Sequence, residues 1–159
     1  MNMEDVNIFA KQFLKRHYNI ELTIPIKRNN RLRTTQGRYV TKQDGTPVHI
    51  DVSGQTLEYG SKEAIKGVIK HECIHFALHQ LGKPYKDGSR LFEAELAKHQ
   101  APSTRTIQIG KLFTFTCNNC GKSGETRRKQ LVKTPARYRT ACCGSTLTVT
   151  GEKIYDGSM

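Results

Sequence analysis

Long apolar runs are missing from this 159-residue chain. Its uninterrupted apolar stretches are a few residues long, far short of the roughly 20 that a membrane-spanning helix needs, so no segment is expected to cross a bilayer. Proline is scarce, at 5 residues beside 13 glycines, and 36% of the chain is apolar. That composition suits a folded core and excludes a largely disordered chain. No export signal is expected either. The opening residues, MNMEDVNIFAKQF, carry acids where a signal peptide is basic, and no apolar segment follows them. The expectation is a soluble cytoplasmic protein of one domain, or of one small domain with an appendage.

Acidic residues are the next deficit. Fourteen Asp and Glu face 26 Lys and Arg, for a net charge of +12. The imbalance is uneven: residues 1–100 hold 16 cations against 11 acids, whereas residues 101–159 hold 10 against 3. A basic tail of this kind attracts polyanions, nucleic acid first among them; the plainer reading is a solvated basic surface. The cysteines number five, at positions 73, 117, 120, 142 and 143. Four crowd into the last third. Without an export signal, that spacing suggests metal ligation more than disulfides.

Periodicity places the elements. Val6, Phe9, Ala10, Phe13 and Leu14 recur at helical intervals between Glu4 and Tyr18. IELTIPIKR, RYVTKQ and PVHIDVS alternate as short strands. A long helix is expected from Ser61, as its N-cap, to a stop at Gly82-Lys83-Pro84, with a second helix from about Ser89 to His99. APSTRTIQIG reads as a connector, and strand-like pieces with cysteine turns follow.

The long helix carries His71-Glu72-Cys73-Ile74-His75. A helix turns about 100° per residue, so the two histidines stack one turn apart on one face. Imidazoles so placed reach a single Zn²⁺ at about 2.0–2.1 Å. Glu72, beside the first, is set to act as general base without ligating, the H-E-x-x-H arrangement of zinc hydrolases. Glu72 also interrupts an apolar stripe of Ile65, Val68, Ile69, Cys73 and Phe76, which is costly without a role. The competing reading is an exposed helix with satisfied histidines. His79 lies about 12 Å along the axis from His71 and cannot join the same ion. Cys73 points away and is expected to pack as a small apolar group.

HECIHFAL, preceded by RNNRLRTTQGRY, resembles the SprT-like family, a zinc metallopeptidase-like group that includes the eukaryotic protease Spartan. Asn30 through Tyr39 follow the family's N-R-x-R-x-T-x-G-R-Y stretch. The resemblance spans roughly residues 5–150 and implies an α+β fold. In it a zincin-like domain with a short antiparallel sheet (residues 1–105) precedes a β zinc ribbon (110–152). It also implies a third histidine ligand ahead of an aromatic on the next helix, but YKDGSRLFEAELAKH has none before Phe92. Asp87 is the nearest match, and an Asp-Gly turn is its plainer reading. Glu95 is the rival, since Phe92, Glu95, Leu96 and His99 share one helix face; Glu93 and His99 are weaker candidates.

FTFTCNNCGKSG and YRTACCGSTL resemble the two knuckles of such a ribbon. Cys117 and Cys120 form a C-x-x-C turn before Gly121. Aligning Gly144 with Gly121 puts Cys143 in the place of Cys120 and Thr140 in that of Cys117, so the adjacent Cys142 has to supply the fourth thiol. Lys111, Lys122, Arg127, Arg128, Lys129, Lys133, Arg137 and Arg139 surround the knuckles, with Phe113, Phe115 and Tyr138 interleaved. Cations on phosphates and bases on rings fit a single-strand or junction binder, with Arg127, Arg128 and Lys129 the candidate contacts. The alternative is rings packed in the ribbon and solvated cations.

Together these residues point to a zinc metalloendopeptidase with two zinc ions, one catalytic and one structural. Its expected partners are protein substrates and DNA. The rival is a non-catalytic nucleic-acid-binding adaptor, which the absent third histidine favours.

Overall fold

A computed structural model describes residues 1–103 and 107–158 of the chain. Two compact units emerge. The first comprises residues Met1–Ile109 together with the segment that begins at Asp156, and the second is Gly110–Tyr155.

The first unit opens with helix α1, Met3–Tyr18. Asn2 and Asp5 form a reciprocal capping box at its start, and Asn19, in the left-handed region at φ 54°, ends it. Glu4 and Asp5 in the first turn and Lys15, Arg16 and His17 in the last complement the helix dipole. Val6, Ala10, Phe13 and Leu14 are buried, and this face packs against helix α3, Lys62–Gln80.

Three strands follow α1: β1 Ile26–Asn29, β2 Gly37–Thr41 and β3 Pro47–Ser53. They pair in the order β1-β3-β2. β2 and β3 are antiparallel, with Tyr39 opposite Ile50, but β1 runs parallel to β3, with Ile26 opposite Ile50. The sheet is therefore mixed, not the antiparallel one the resemblance implies. The β2–β3 hairpin returns the chain along the direction of β1, and β3 inserts between the two earlier strands. Alternation of residues along a strand records neither fact. On central β3, Ile50 and Val52 enter the core while the buried Asp51 is met by Arg38 at 2.9 Å, Asn29 at 3.0 Å and His49 at 3.2 Å. Burial alone would raise the Asp51 pKa; these three partners outweigh it, and the carboxyl lies below its usual range.

A short helix α2, Gly54–Tyr59, unforeseen from the sequence, leads into α3. Ser61 caps α3, its hydroxyl accepting the Ala64 N–H at 3.1 Å. Gly82, at φ +67°, closes the other end. Helix α4, Arg90–Lys98, buries Phe92 and Leu96. Cys73 is fully buried in the main core beside Ile69, Ile74 and Phe76.

The second unit holds a sheet ordered β5-β4-β6, from β4 Ile109–Cys117, β5 Ser123–Thr126 and β6 Leu147–Asp156, with β4 and β5 antiparallel. Helix α5, Lys129–Lys133, and a 3-10 turn, Pro135–Arg137, lie between β5 and β6. Its buried apolar side chains among the described residues are few: Leu112, Phe113, Leu131 and Leu147, with Cys117. Among the described residues no helix is long and apolar enough to cross a membrane.

Leu14 is fully buried whereas Ile8, on the same helix, is 49% exposed. Leu14→Ala is expected to lower unfolding free energy by about 2–5 kcal/mol, and Ile8→Ala to change it by no more than about 0.5 kcal/mol. Denaturant titration of the two variants checks the assignment of the core.

Candidate functional site

Every residue of α3 from His71 to Leu78 is buried. Burying His71, Glu72 and His75 on a helix requires partners for each, and the surrounding elements supply them. His71 donates its Nδ1 proton to the Pro102 carbonyl at 2.8 Å, and His75 donates its own to the Tyr85 carbonyl. A carbonyl only accepts, so both rings carry a proton on Nδ1 and turn Nε2 toward Asp87. Burial, with the neighbouring His71, holds the His75 imidazole below its usual pKa and so favours the neutral ring, against the opposite pull of the Tyr85 carbonyl and Asp87. Phe92 of α4 fixes the ring planes, stacking on His75 at 4.0 Å and meeting His71 edge-on at 5.2 Å.

The two Nε2 atoms lie 3.2 Å apart, and Asp87 Oδ1 lies 3.2 Å from one and 3.5 Å from the other. Two ring nitrogens and a carboxylate oxygen facing one another at these distances form a set that one cation can join. Zinc bonds of about 2.0–2.2 Å set tetrahedrally give donor separations of about 3.3–3.6 Å. The observed triangle matches that spacing, so the donor set fits such an ion. The sequence left Asp87 and Glu95 as alternatives for the third position. Asp87 stands with the histidines. Glu95 is elsewhere, accepting the Tyr18 hydroxyl at 2.6 Å and lying 3.4 Å from His99 Nε2. Glu93 accepts the Gly88 N–H.

Glu72 sits beside this triangle, against β2. A Cβ on Gly37 would stand 3.0 Å from Glu72 Cγ and from Val68 Cγ1, so a larger residue there would press on the Glu72 side chain or push the strand from the helix. The backbone N–H of Tyr39 donates to the carboxylate. Burial pushes the Glu72 carboxyl up to about 8, the charge of Asp87 adds to the rise, and the Tyr39 N–H pulls against it. A carboxyl that exchanges a proton near neutrality is suited to acid–base work. The site opens into a cleft of about 490 Å³. It is lined by Thr35, Gly37, Arg38, Tyr39 and Thr41 from β2 and the turn before it, by Tyr85, Lys86 and Asp87 from the α3–α4 loop, and by His71, Glu72 and His75 of α3.

Gly37, Tyr39, Tyr85 and Pro102 had no functional assignment from sequence. Gly37 and Tyr39 fall inside the N-R-x-R-x-T-x-G-R-Y stretch, which could have flagged them. Tyr85 and Pro102 act through backbone carbonyls, for which no residue type is a signal.

The second unit gathers its four cysteines. The sulfurs of Cys117, Cys120, Cys142 and Cys143 all lie within 4.8 Å of one another. The two turns that carry them share one hydrogen-bond pattern. Cys117 N–H donates to Lys122 O and Gly121 N–H to Cys117 O; Thr140 N–H donates to Ser145 O and Gly144 N–H to Thr140 O. Gly121 and Gly144 take positive φ, +74° and +61°. Thr140 thus occupies the place of Cys117, 3.3 Å from its sulfur, and Cys142 makes up the fourth thiol. The Cys120 N–H and the Thr140 hydroxyl draw the Cys117 thiol down to about 6, toward the thiolate that ligates metals. Arg128 and Lys129 are exposed and Arg127 half-buried, Phe113 is buried, and Phe115 and Tyr138 are half-buried. Arg139 is engaged by the Ala136 and Tyr138 carbonyls.

A profile described as the SprT-like family matches residues 6–100. The chain belongs to the SprT-like family. The match takes in His71, Glu72, His75 and Asp87 and ends before the cysteine cluster. Relatives named "Protein SprT-like" include one from Bacillus cereus, 35% identical over 120 residues, which cover 72% of this chain and 74% of the relative. One from Bacillus subtilis is 33% identical over 120 residues, covering 72% and 75%. Another, from Streptococcus thermophilus, is 36% identical over 110 residues, covering 67% and 70%.

Asp87→Ala is expected to weaken zinc binding at the histidine pair by at least the roughly 10- to 100-fold that loss of an outer-shell partner costs, and to leave metal binding at the cysteine cluster unchanged. Glu95→Ala should leave both affinities unchanged. Competition titrations against a chromophoric chelator measure both.

Proposed function

We propose that this chain is a metal-dependent peptidase of the SprT-like family, with zinc held by His71, His75 and Asp87. The observation that carries the reading is the convergence of His71, His75 and Asp87 on one point in an open cleft, beside a buried glutamate outside that group. When bound there, zinc supplies Lewis acidity, which acidifies water and polarises a carbonyl. The chain's own residues do the rest. Glu72 accepts the proton of the attacking water on its carboxylate and later delivers it to the departing amine. The Tyr39 N–H keeps that carboxylate aimed during both transfers. The Pro102 and Tyr85 carbonyls hold the two imidazoles in the tautomer that leaves Nε2 free. β2 and the Tyr85–Asp87 loop both line the cleft, which accommodates an extended peptide.

In the same reading the four thiols of the second unit bind a structural zinc as a ribbon. With so few buried apolar side chains, that unit draws much of its folding free energy from the metal. The excess of cations in residues 101–159, with Arg128 and Lys129 exposed and Arg127 beside them, supports contact with nucleic acid through phosphates. Base stacking falls to Phe115 and Tyr138, since Phe113 is packed away. The proteins cleaved are then ones that lie on or near DNA.

Glu72→Gln tests the peptidase. It is expected to keep the fold and both metals while lowering cleavage of an unfolded protein by at least about 10²-fold. Undiminished cleavage would refute the mechanism. Running the parent chain with and without single-stranded DNA, on a substrate that binds DNA, separates the two parts of the proposal. Faster cleavage with DNA supports the nucleic-acid arm, and an unchanged rate removes that arm alone.

A further inference from the structure

The donors at the histidine site are held unequally. His71 and His75 side chains are 1% and 9% exposed on a packed helix, whereas that of Asp87 is 65% exposed. Asp87 lies on the loop between α3 and α4, and from Leu81 to Gly88 only Tyr85 is not exposed. What keeps this loop over the histidines is therefore local. On one side of Asp87, the Gly88 N–H donates to Glu93 at 3.0 Å. The Ser89 N–H donates to Lys86 O across Asp87 at 3.1 Å and the Lys83 N–H to Leu78 O at 2.9 Å; on the other side of Asp87 the side-chain contacts pass through Tyr85. Its carbonyl accepts from His75, and its ring lies face to face on His79 at 4.1 Å and 15°. His79 is tied to the Tyr39 hydroxyl at 2.7 Å, and Tyr39 meets the Tyr85 ring edge-on at 6.1 Å. Three rings from β2, the end of α3 and the loop thus form one brace beside the site.

We propose that His79 is a positioning residue for the metal site: its ring is the platform on which Tyr85 rests, and through Tyr85 it keeps Asp87 in reach of the ion. The inference rests on the reading of His71, His75 and Asp87 as zinc ligands. His79 is one turn beyond His75 and serves by stacking, not by ligation. Without the platform the loop spends part of its time away from the histidines, and apparent affinity falls by the fraction of time the three donors are together. A stacked aromatic pair shifts such an equilibrium by up to about tenfold.

The test is zinc affinity and release rate of the full chain, by competition with a chelator, with the cysteine cluster of the same molecule as internal reference. His79→Ala is expected to bind zinc at the histidine site several-fold more weakly, up to about tenfold, and release it correspondingly faster, with the cysteine cluster unaffected. His79→Phe keeps the stack but can neither ligate nor bond to Tyr39, and is expected within about threefold of the parent. An unchanged affinity in His79→Ala, or a His79→Phe as weak as His79→Ala, overturns the proposal. Should His79→Ala not fold, Tyr85→Leu removes the same stack from the loop side while keeping the carbonyl; it is expected to show the same loss, and its absence overturns the proposal equally. His71→Ala distinguishes the two levels. If that variant binds zinc as the parent does, the ligand assignment itself fails and the brace with it; if it loses zinc while His79→Ala does not, the brace alone fails.

Discussion

Three electron pairs aimed at one point are the constraint on which the first unit is built. His71 Nε2, His75 Nε2 and Asp87 Oδ1 lie 3.2–3.5 Å apart with their rings' protons committed elsewhere. A cation among them would take both nitrogen lone pairs and the charge of Asp87, with the buried Glu72 beside it. Much of the surrounding structure serves this point. Pro102 and Tyr85 take the Nδ1 protons, Phe92 sets the ring planes, and Gly37 lets β2 close on Glu72.

The two units reach stability by different routes. The first buries a continuous apolar core from α1, the mixed sheet, α3 and α4. The second has little to bury, and its organisation resides in two turns with matching hydrogen bonds and four thiols within 4.8 Å. The matching turns explain how an irregular Cys-Cys pair completes the set. Backbone geometry is repeated, and the missing sulfur at Thr140 is replaced from the neighbouring position at Cys142.

How much of this the sequence shows differs by feature. The extent of α3, its Ser61 cap and the pairing of His71 with His75 on one face follow from helical spacing, which is a local property. So does the burial of Cys73. Sheet direction is not local, and the parallel β1–β3 pairing left no trace in the alternation of IELTIPIKR. Helix α2 is too short to show a period. The third donor was ambiguous for a physical reason: Glu95 shares a helix face with Phe92 and Leu96, but that same helix turns Glu95 toward Tyr18 of α1, while Asp87 is delivered by a loop whose path no periodicity encodes. The carbonyl partners of the histidines, being backbone, are invisible to residue type.

The central claim is that His71, His75 and Asp87 bind one ion with a position left for water and substrate. Anomalous diffraction at the zinc edge, from crystals of the full chain, tests it most directly. The account predicts an ion about 2.0–2.2 Å from both Nε2 atoms and an Asp87 oxygen, with a fourth position open to the cleft and Glu72 outside bonding distance. An ion bonded by Glu72, or no ion between the histidines in a zinc-saturated crystal, would contradict it.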